Sequence, residues 1–252
     1  MHAEQFTAWI ASLETRHLAE LTFPEVSRAL RALSSAYVER RGEGAVGAAL
    51  TGAGKRAAFA LFYGPLHYLL VRHIVLALPH ASGRTTMLVD LGCGTGSSGA
   101  AWATASDAPP SIVGVDRHPW ALGEAAWTYR QFALTARTRQ GDVLRGDLPK
   151  APVSLLAAFT LNELADEARE TVLRRLLVRA ANGDRVLIVE PLARGIAPWW
   201  NRWQDQVVAA GGRGDEWRFR VELPAIVAKL DRAAGLNHRE LTGRSLWLGG
   251  QA

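Results

Sequence analysis

The sequence predicts an α/β protein with a seven-stranded, mostly parallel sheet behind a helical N-terminal cap. Three observations carry this. Before about residue 80, apolar residues recur at spacings of three and four, the period of a buried helix face. From Thr86 onward, short apolar runs alternate with helical stretches, as in a parallel sheet joined by crossover helices. The first of these runs ends in a glycine turn, Gly92-Cys93-Gly94-Thr95-Gly96, immediately before a helix.

Phe23-Pro24-Glu25 opens an N-terminal helix whose apolar face is Val26, Leu30, Leu33 and Tyr37. A glycine-rich interruption, Arg41-Gly42-Glu43-Gly44, follows. A long apolar-faced stretch over 54–78 is broken by Gly64-Pro65, because proline lacks an N–H and crowds the preceding turn. Residues 79–84 form a linker. Residues 87–91, 112–115, 153–159 and 185–189 read as buried strands, and 138–141 as a weak one. The helices between them span about 96–105, 119–135 and 164–181. A tryptophan-rich helix (198–210), a loop of glycine and charge (211–217) and a helix over 223–234 follow. Two short strands near 238–241 and 245–248 close the chain, as a hairpin that makes the last pair antiparallel. This divides the chain into a cap region, 1–84, and an α/β domain, 85–252.

Composition narrows the function. The 252 residues carry a net charge of +5, and the excess lies on the two flanks of a neutral centre. All but three basic residues are arginines, which favour bidentate contact with phosphate, a weak pointer to nucleic acid. The single cysteine, Cys93, excludes a disulfide framework, a four-cysteine zinc site and a cysteine-held iron–sulfur cluster, and no metal is expected. No apolar run nears the roughly 20 residues that span a bilayer. The N-terminus lacks the basic flank and apolar block of a signal peptide. A soluble, cytoplasmic protein without a membrane partner is the expectation.

The chemistry concentrates at Asp90-Leu91-Gly92-Cys93-Gly94-Thr95-Gly96. Gly94, Gly96 and Gly99 fit the G-x-G-x-x-G pattern of dinucleotide sites. Asp90 at the strand end would repel a pyrophosphate, however, and suits a cation such as the α-ammonium of S-adenosylmethionine. The turn, through Gly92, Cys93, Gly94 and Gly96, is therefore read as a cradle for that cofactor. Asp116-Arg117 ends the second strand, where an acid accepts from both ribose hydroxyls. Asp142-Val143 follows the third, where an acid can accept from the adenine amino group. Each acid has a plainer reading as a helix cap.

Residues 86–190 resemble the class I S-adenosylmethionine-dependent methyltransferases, whose first motif stands intact in Asp90 to Gly96. The resemblance implies a Rossmann-like sheet with the cofactor at the carboxyl ends of its first two strands. Shorter segments, among them Tyr63-Gly64-Pro65-Leu66-His67 and Leu161-Asn162-Glu163-Leu164, are similar to a methyltransferase-like family of mitochondrial small-ribosomal-subunit assembly factors and its bacterial relatives. Mitochondrial members carry a cysteine set for an iron–sulfur cluster that Cys93 alone cannot supply. A helical region before the glycine turn is also the layout of 16S ribosomal RNA methyltransferases that confer aminoglycoside resistance.

This family frame places Asn162 and Glu163, after the fourth strand, at the edge facing the sulfonium, as catalytic candidates; their plainer reading is a helix start. Tyr63 and His67, four apart on one helical face, are candidates to line the cofactor pocket or to fill the core. Trp199, Trp200 and Trp203, with Arg194 and Arg202, are read as a stacking surface for substrate, against ordinary packing on the sheet. The expected activity is methyl transfer to ribosomal RNA or a ribosome-assembly surface. A small-molecule acceptor, another displacement on the same cofactor and a non-catalytic cofactor-holding factor are the alternatives.

Overall fold

A computed structural model describes residues 2–39, 50–150, 152–192 and 198–249. The elements run α1 (His2–His17), α2 (Phe23–Glu39), α3 (Ala53–Ala58), a π-helical turn (Phe59–Tyr63) and α4 (Gly64–Ala77), then β1 (Met87–Leu91) and α5 (Ser97–Ala105). They continue through β2 (Ser111–Asp116), α6 (Pro119–Gln131), β3 (Ala136–Gln140), β4 (Ser154–Ala158), a 3-10 turn (Leu161–Glu163) and α7 (Asp166–Ala181). The chain ends with β5 (Arg185–Glu190), α8 (Trp200–Ala209), β6 (Arg213–Phe219), α9 (Ala225–Ala234) and β7 (Leu241–Leu248). The expected interruption at 41–44 lies outside the described residues.

The sheet has seven strands in the order β3-β2-β1-β4-β5-β7-β6. β1 through β5 pair in parallel, and β7 is antiparallel to both β5 and β6. The order reverses beside β1, so the carboxyl ends of β1 and β4 flank the switch point, the place where open α/β sheets bind ligands.

The antiparallel pair differs from the expected hairpin. Residues 241–248 form one strand, and its partner is the stretch read as a charged loop, with Arg213 opposite Trp247 and Phe219 opposite Leu241. Gly243, which looked like a turn in the sequence, lies within β7 because Leu70 of α4 crosses it closely. A Cβ there would sit 2.7 Å from Leu70 Cδ2. β6 is an edge strand with alternating exposure, so its inner residues pack while Arg213, Glu216 and Arg218 face water.

The break at Gly64-Pro65 is absorbed rather than ended. Gly64 donates its N–H to Phe59 O, five residues back, and the widened turn makes room for the Pro65 ring. Ala53–Ala77 is thereby one continuous helix, long and apolar enough to cross a membrane, yet most of it is buried in the fold against α2, α5 and β7.

One sheet face and the N-terminal helices share a single apolar cluster, from Trp9, Leu30, Phe62 and Ile74 to Leu156, Leu187 and Trp247. The other face is covered by α7 and α8, through Leu173, Leu176, Trp203 and Val207. The helical region thus packs directly over the sheet that holds the glycine turn.

Candidate active site

The glycine turn is bound to the end of β2. Gly92 and Cys93 donate their N–H groups to Val115 O at 2.8 and 3.0 Å. Asp116 then accepts from Gly94 N–H at 3.0 Å and from His118 N–H at 2.8 Å. Its carboxylate keeps lone pairs beyond these two bonds and faces a cavity of about 410 Å³. Gly92 is required twice over. Its φ is +69°, and a Cβ would lie 2.3 Å from Thr160 Cγ2. Thr160 closes that side, its Oγ1 3.2 Å from Leu91 O, 3.2 Å from Gly92 O and 3.0 Å from Ala158 O.

The cavity is lined by Gly92 and Gly94 of the turn, by Asp116, Arg117, His118 and Pro119 after β2, and by Gly141 and Val143 after β3. Thr160, Glu163 and Leu164 line it from the segment after β4, and Leu50 and Phe59 from the helical region, with Phe59 Cε1 3.8 Å from where a Gly94 Cβ would stand. Of the expected site residues, Gly92, Gly94, Asp116, Arg117, Val143 and Glu163 meet here.

The others are placed differently. Asp90 points beneath the turn, where Oδ2 accepts from Gly99 N–H at 3.0 Å and from the Tyr129 hydroxyl at 3.2 Å. Burial, with the nearby Asp116 charge, pushes its carboxyl group up to about 7. Asp90 therefore fixes the first turn of α5 from below instead of facing the cavity. Cys93 is buried alongside, its thiol held well above the ordinary range by burial and by Asp90. Gly96 lies below the cavity as the left-handed N-cap of α5. Asp142 caps its own loop by accepting from Leu144 N–H at 2.8 Å, while its neighbours Gly141 and Val143 reach the cavity.

Tyr63 and His67 sit behind Phe59. The Tyr63 hydroxyl is 3.2 Å from Ser34 Oγ, and the His67 ring stacks on Phe159 with centroids 3.7 Å apart. Burial holds the His67 imidazole down at about 3, so it is neutral at pH 7. Phe159 reaches this stack with φ at +57°, a strained conformation for a bulky residue. Asn162 turns its amide away from the cavity and donates from Nδ2 to Glu190 Oε2 at 2.5 Å.

The stacking surface expected of the tryptophans is not formed by them. Trp199, Trp200 and Trp203 are all buried on the α8 side of the sheet. Trp203 donates its indole N–H to Glu170 at 2.8 Å, and the same carboxylate pairs with Arg202. Their apolar surface is worth more in the core than at the surface, and the indole N–H groups of Trp200 and Trp203 find partners there in Gln204 and Glu170, while that of Trp199 has none among the described residues. Arg194 lies outside the described residues.

Sequence reasoning missed Leu50, Phe59, His118, Pro119, Gly141, Thr160 and Leu164. Phe59 had a signal, being four residues before Tyr63 on the same helix face. Thr160 had none, since its role follows from the absence of a side chain at Gly92.

The arrangement fits S-adenosylmethionine. Glycine backbone gives close approach without side chains, Asp116 has acceptor capacity for hydroxyls, and carboxylates at Asp116 and Glu163 suit a cationic ligand.

Residues 88–183 match a family model described as a methyltransferase domain. Among curated proteins, none matches the sequence. The mitomycin 7-O-methyltransferase has a similar structure, with a TM-score of 0.53 at 15% identity, over 97% of this chain and 73% of its own. A putative O-methyltransferase from Nostoc punctiforme scores 0.53 at 14% identity, over 92% of this chain and 71% of its own. An O-methyltransferase of neocarzinostatin biosynthesis, solved with S-adenosylmethionine and 2-hydroxy-5-methyl naphthoic acid, scores 0.51 at 16% identity, over 88% of this chain and 70% of its own. At these identities the likeness is one of fold. Residues 88–183 thus match a methyltransferase domain, in a sheet and helical surround of the fold of the solved methyltransferases.

Proposed function

We propose that the protein methylates a small molecule, at a hydroxyl or amino group on a planar, largely apolar body. The observation that carries this reading is the cavity wall. Phe59 lies over the glycine turn, its Cε1 3.8 Å from where a Gly94 Cβ would stand, and with Leu50 and Leu164 it gives the cavity that Glu163 lines apolar walls in the size range of small-ligand sites. The solved O-methyltransferase bound to a hydroxy-naphthoic acid supports the same acceptor class. S-adenosylmethionine, when bound, supplies an electrophilic methyl group on a sulfonium. The chain's own residues orient and enclose. Asp116, fixed by Gly94 and His118, accepts hydroxyl hydrogen bonds. Phe59 and Leu50 exclude water, and Glu163 takes the proton that the acceptor's heteroatom loses as its bond to the methyl forms.

A second reading, ribosomal RNA or a ribosome-assembly surface as acceptor, is favoured by a different feature. Arg137 and Arg139 of edge strand β3 line a groove of about 520 Å³ beside Thr138, Leu148 and Pro149. Arg139 donates to the backbone carbonyl of Asp147, an acid that lines the same groove, so the two arginines and one aspartate leave it positive by formal charge. The resemblance to ribosomal assembly factors points the same way.

Methyl-tritiated S-adenosylmethionine, offered with a panel of phenols, catechols and hydroxy-naphthoic acids and separately with 30S subunits, distinguishes the two. Label in an extractable small product is the expected result. Label in RNA alone overturns the first reading and establishes the second.

A further inference from the structure

We infer that Glu190 is a positioning residue of the methyl-transfer site, acting through the turn that carries Glu163; this rests on the reading of Glu163 as the acceptor's proton partner. Glu190 is the last residue of β5 and is completely buried. Its Oε1 accepts from Leu161 N–H at 2.8 Å, and its Oε2 accepts from Asn162 Nδ2 at 2.5 Å. Both donors belong to the three-residue turn whose third member, Glu163, lines the cavity.

So short a turn cannot satisfy its own leading N–H groups, and it has no apolar face to anchor it beyond Leu161. The attachment comes from two sides. Glu190 takes the donors, while Arg169 of α7 donates from Nε to Leu161 O at 3.0 Å and from Nη2 to Leu164 O at 2.5 Å. The turn is clamped between these residues, and Glu163 projects from the clamped segment. Glu190 itself does not line the cavity, so it touches the chemistry only through the turn.

The side-chain type matters. Ionised, Glu190 offers lone pairs on both oxygens to these donors, and protonated it offers a carbonyl oxygen and a hydroxyl that can rotate and still accept, whereas a glutamine fixes an NH2 group, with no lone pair to offer, against one of them. Burial, with the nearby Glu163 charge, raises the Glu190 carboxyl to about 8, and Arg244 of β7, held over Trp200 with its guanidinium 4.4 Å from the ring centroid, offsets part of that. A buried acid at a strand end, facing two donors of one turn, fixes where the following carboxylate points.

The test compares full-length wild type with Glu190→Gln and Glu190→Asp, and with Asn162→Ala should Glu190→Gln fail to fold. Hydrogen exchange over residues 160–164 should rise at least tenfold in Glu190→Gln, with β4 and β5 unchanged and S-adenosylhomocysteine affinity within twofold. With the acceptor found in the panel, kcat should fall at least tenfold while KM holds, and Glu190→Asp should recover part of it. Unchanged exchange at the turn overturns the inference. So does faster exchange spread through β4 and β5 with lost cofactor affinity, the mark of a purely structural residue. An undiminished kcat overturns it as well. If wild type methylates nothing in the panel, the methyl-transfer reading fails on its own, and exchange at the turn still decides whether Glu190 holds it.

Discussion

Asp116 accepts the backbone N–H of Gly94 at 3.0 Å, so the acid that ends β2 holds the glycine turn that ends β1. The same carboxylate accepts from His118 N–H and faces the cavity. One residue thus sets the floor of the site and offers acceptors to a ligand.

Asp116→Ala should weaken S-adenosylhomocysteine binding by about 1.5–3 kcal/mol, the typical worth of hydrogen bonds to a charged group. Asp116→Asn should lose nearly as much, because its amide turns a donor toward Gly94 or His118. Calorimetric titration reads both. Asparagine binding as well as aspartate would mean that the charge and second oxygen are unused.

Gly92→Ala should abolish cofactor binding and lower stability by about 1–3 kcal/mol, combining left-handed strain with the overlap at Thr160. Adding Thr160→Gly should relieve the overlap and leave the strain, giving partial recovery of the melting temperature. No recovery in the double variant would assign the whole effect to backbone conformation.

Trp203→Ala should cost about 3–5 kcal/mol of stability, as for a large buried side chain. Arg202→Ala should cost less than about 1 kcal/mol, because its partner Glu170 meets it at the surface. Thermal melts separate the two. Neither should change the salt dependence of binding to single-stranded RNA, and a change at Arg202 would restore the substrate-surface reading.

Stability should fall as pH rises from 5 to 8. Burial pushes Asp90 up to about 7 and Glu190 up to about 8, so the folded state binds protons that the unfolded chain has released. For each acid the slope is negative between its unfolded pKa of ~4 and its folded one, and flat above. Each contributes a loss on the order of 1–4 kcal/mol across its window. Glu190→Gln should remove the decline between pH 7 and 8 and leave that below pH 7 to Asp90. Melting temperatures that rise over this range in wild type would contradict the assignment.

What could be read from residues alone was what local pattern encodes. Apolar runs at Met87–Leu91 and Arg185–Glu190, and the glycine turn between strand and helix, have no other comfortable conformation. The failures share a cause. β6 is half charged and takes its ladder from β7, and Gly243 sits in that ladder opposite Trp217, its missing side chain explained by the close crossing of Leu70 and not by a turn. Trp203 was read as surface because an aromatic beside arginines looks the same in sequence whether it stacks on a ligand or fills a core. Phe59 and Glu163 line one cavity from segments more than a hundred residues apart in the chain, a juxtaposition only the fold creates.

Glu163 carries the last prediction, which separates a proton-accepting residue from a helix-start residue. It lines the cavity on the turn held by Glu190 and Arg169. Glu163→Gln keeps the shape and removes the charge. If the carboxylate accepts the acceptor's proton, turnover should fall ~10²-fold or more, with S-adenosylhomocysteine affinity nearly unchanged. The loss should shrink for acceptors of lower pKa, which arrive already ionised and need no base. If Glu163 only favours the start of α7, the substitution should cost a few tenths to ~1 kcal/mol of stability and leave turnover intact for every acceptor. A plot of the wild-type to Glu163→Gln rate ratio against acceptor pKa therefore decides the matter. A rising line identifies a base, and a flat line at unity removes Glu163 from the chemistry while leaving the cofactor site as described.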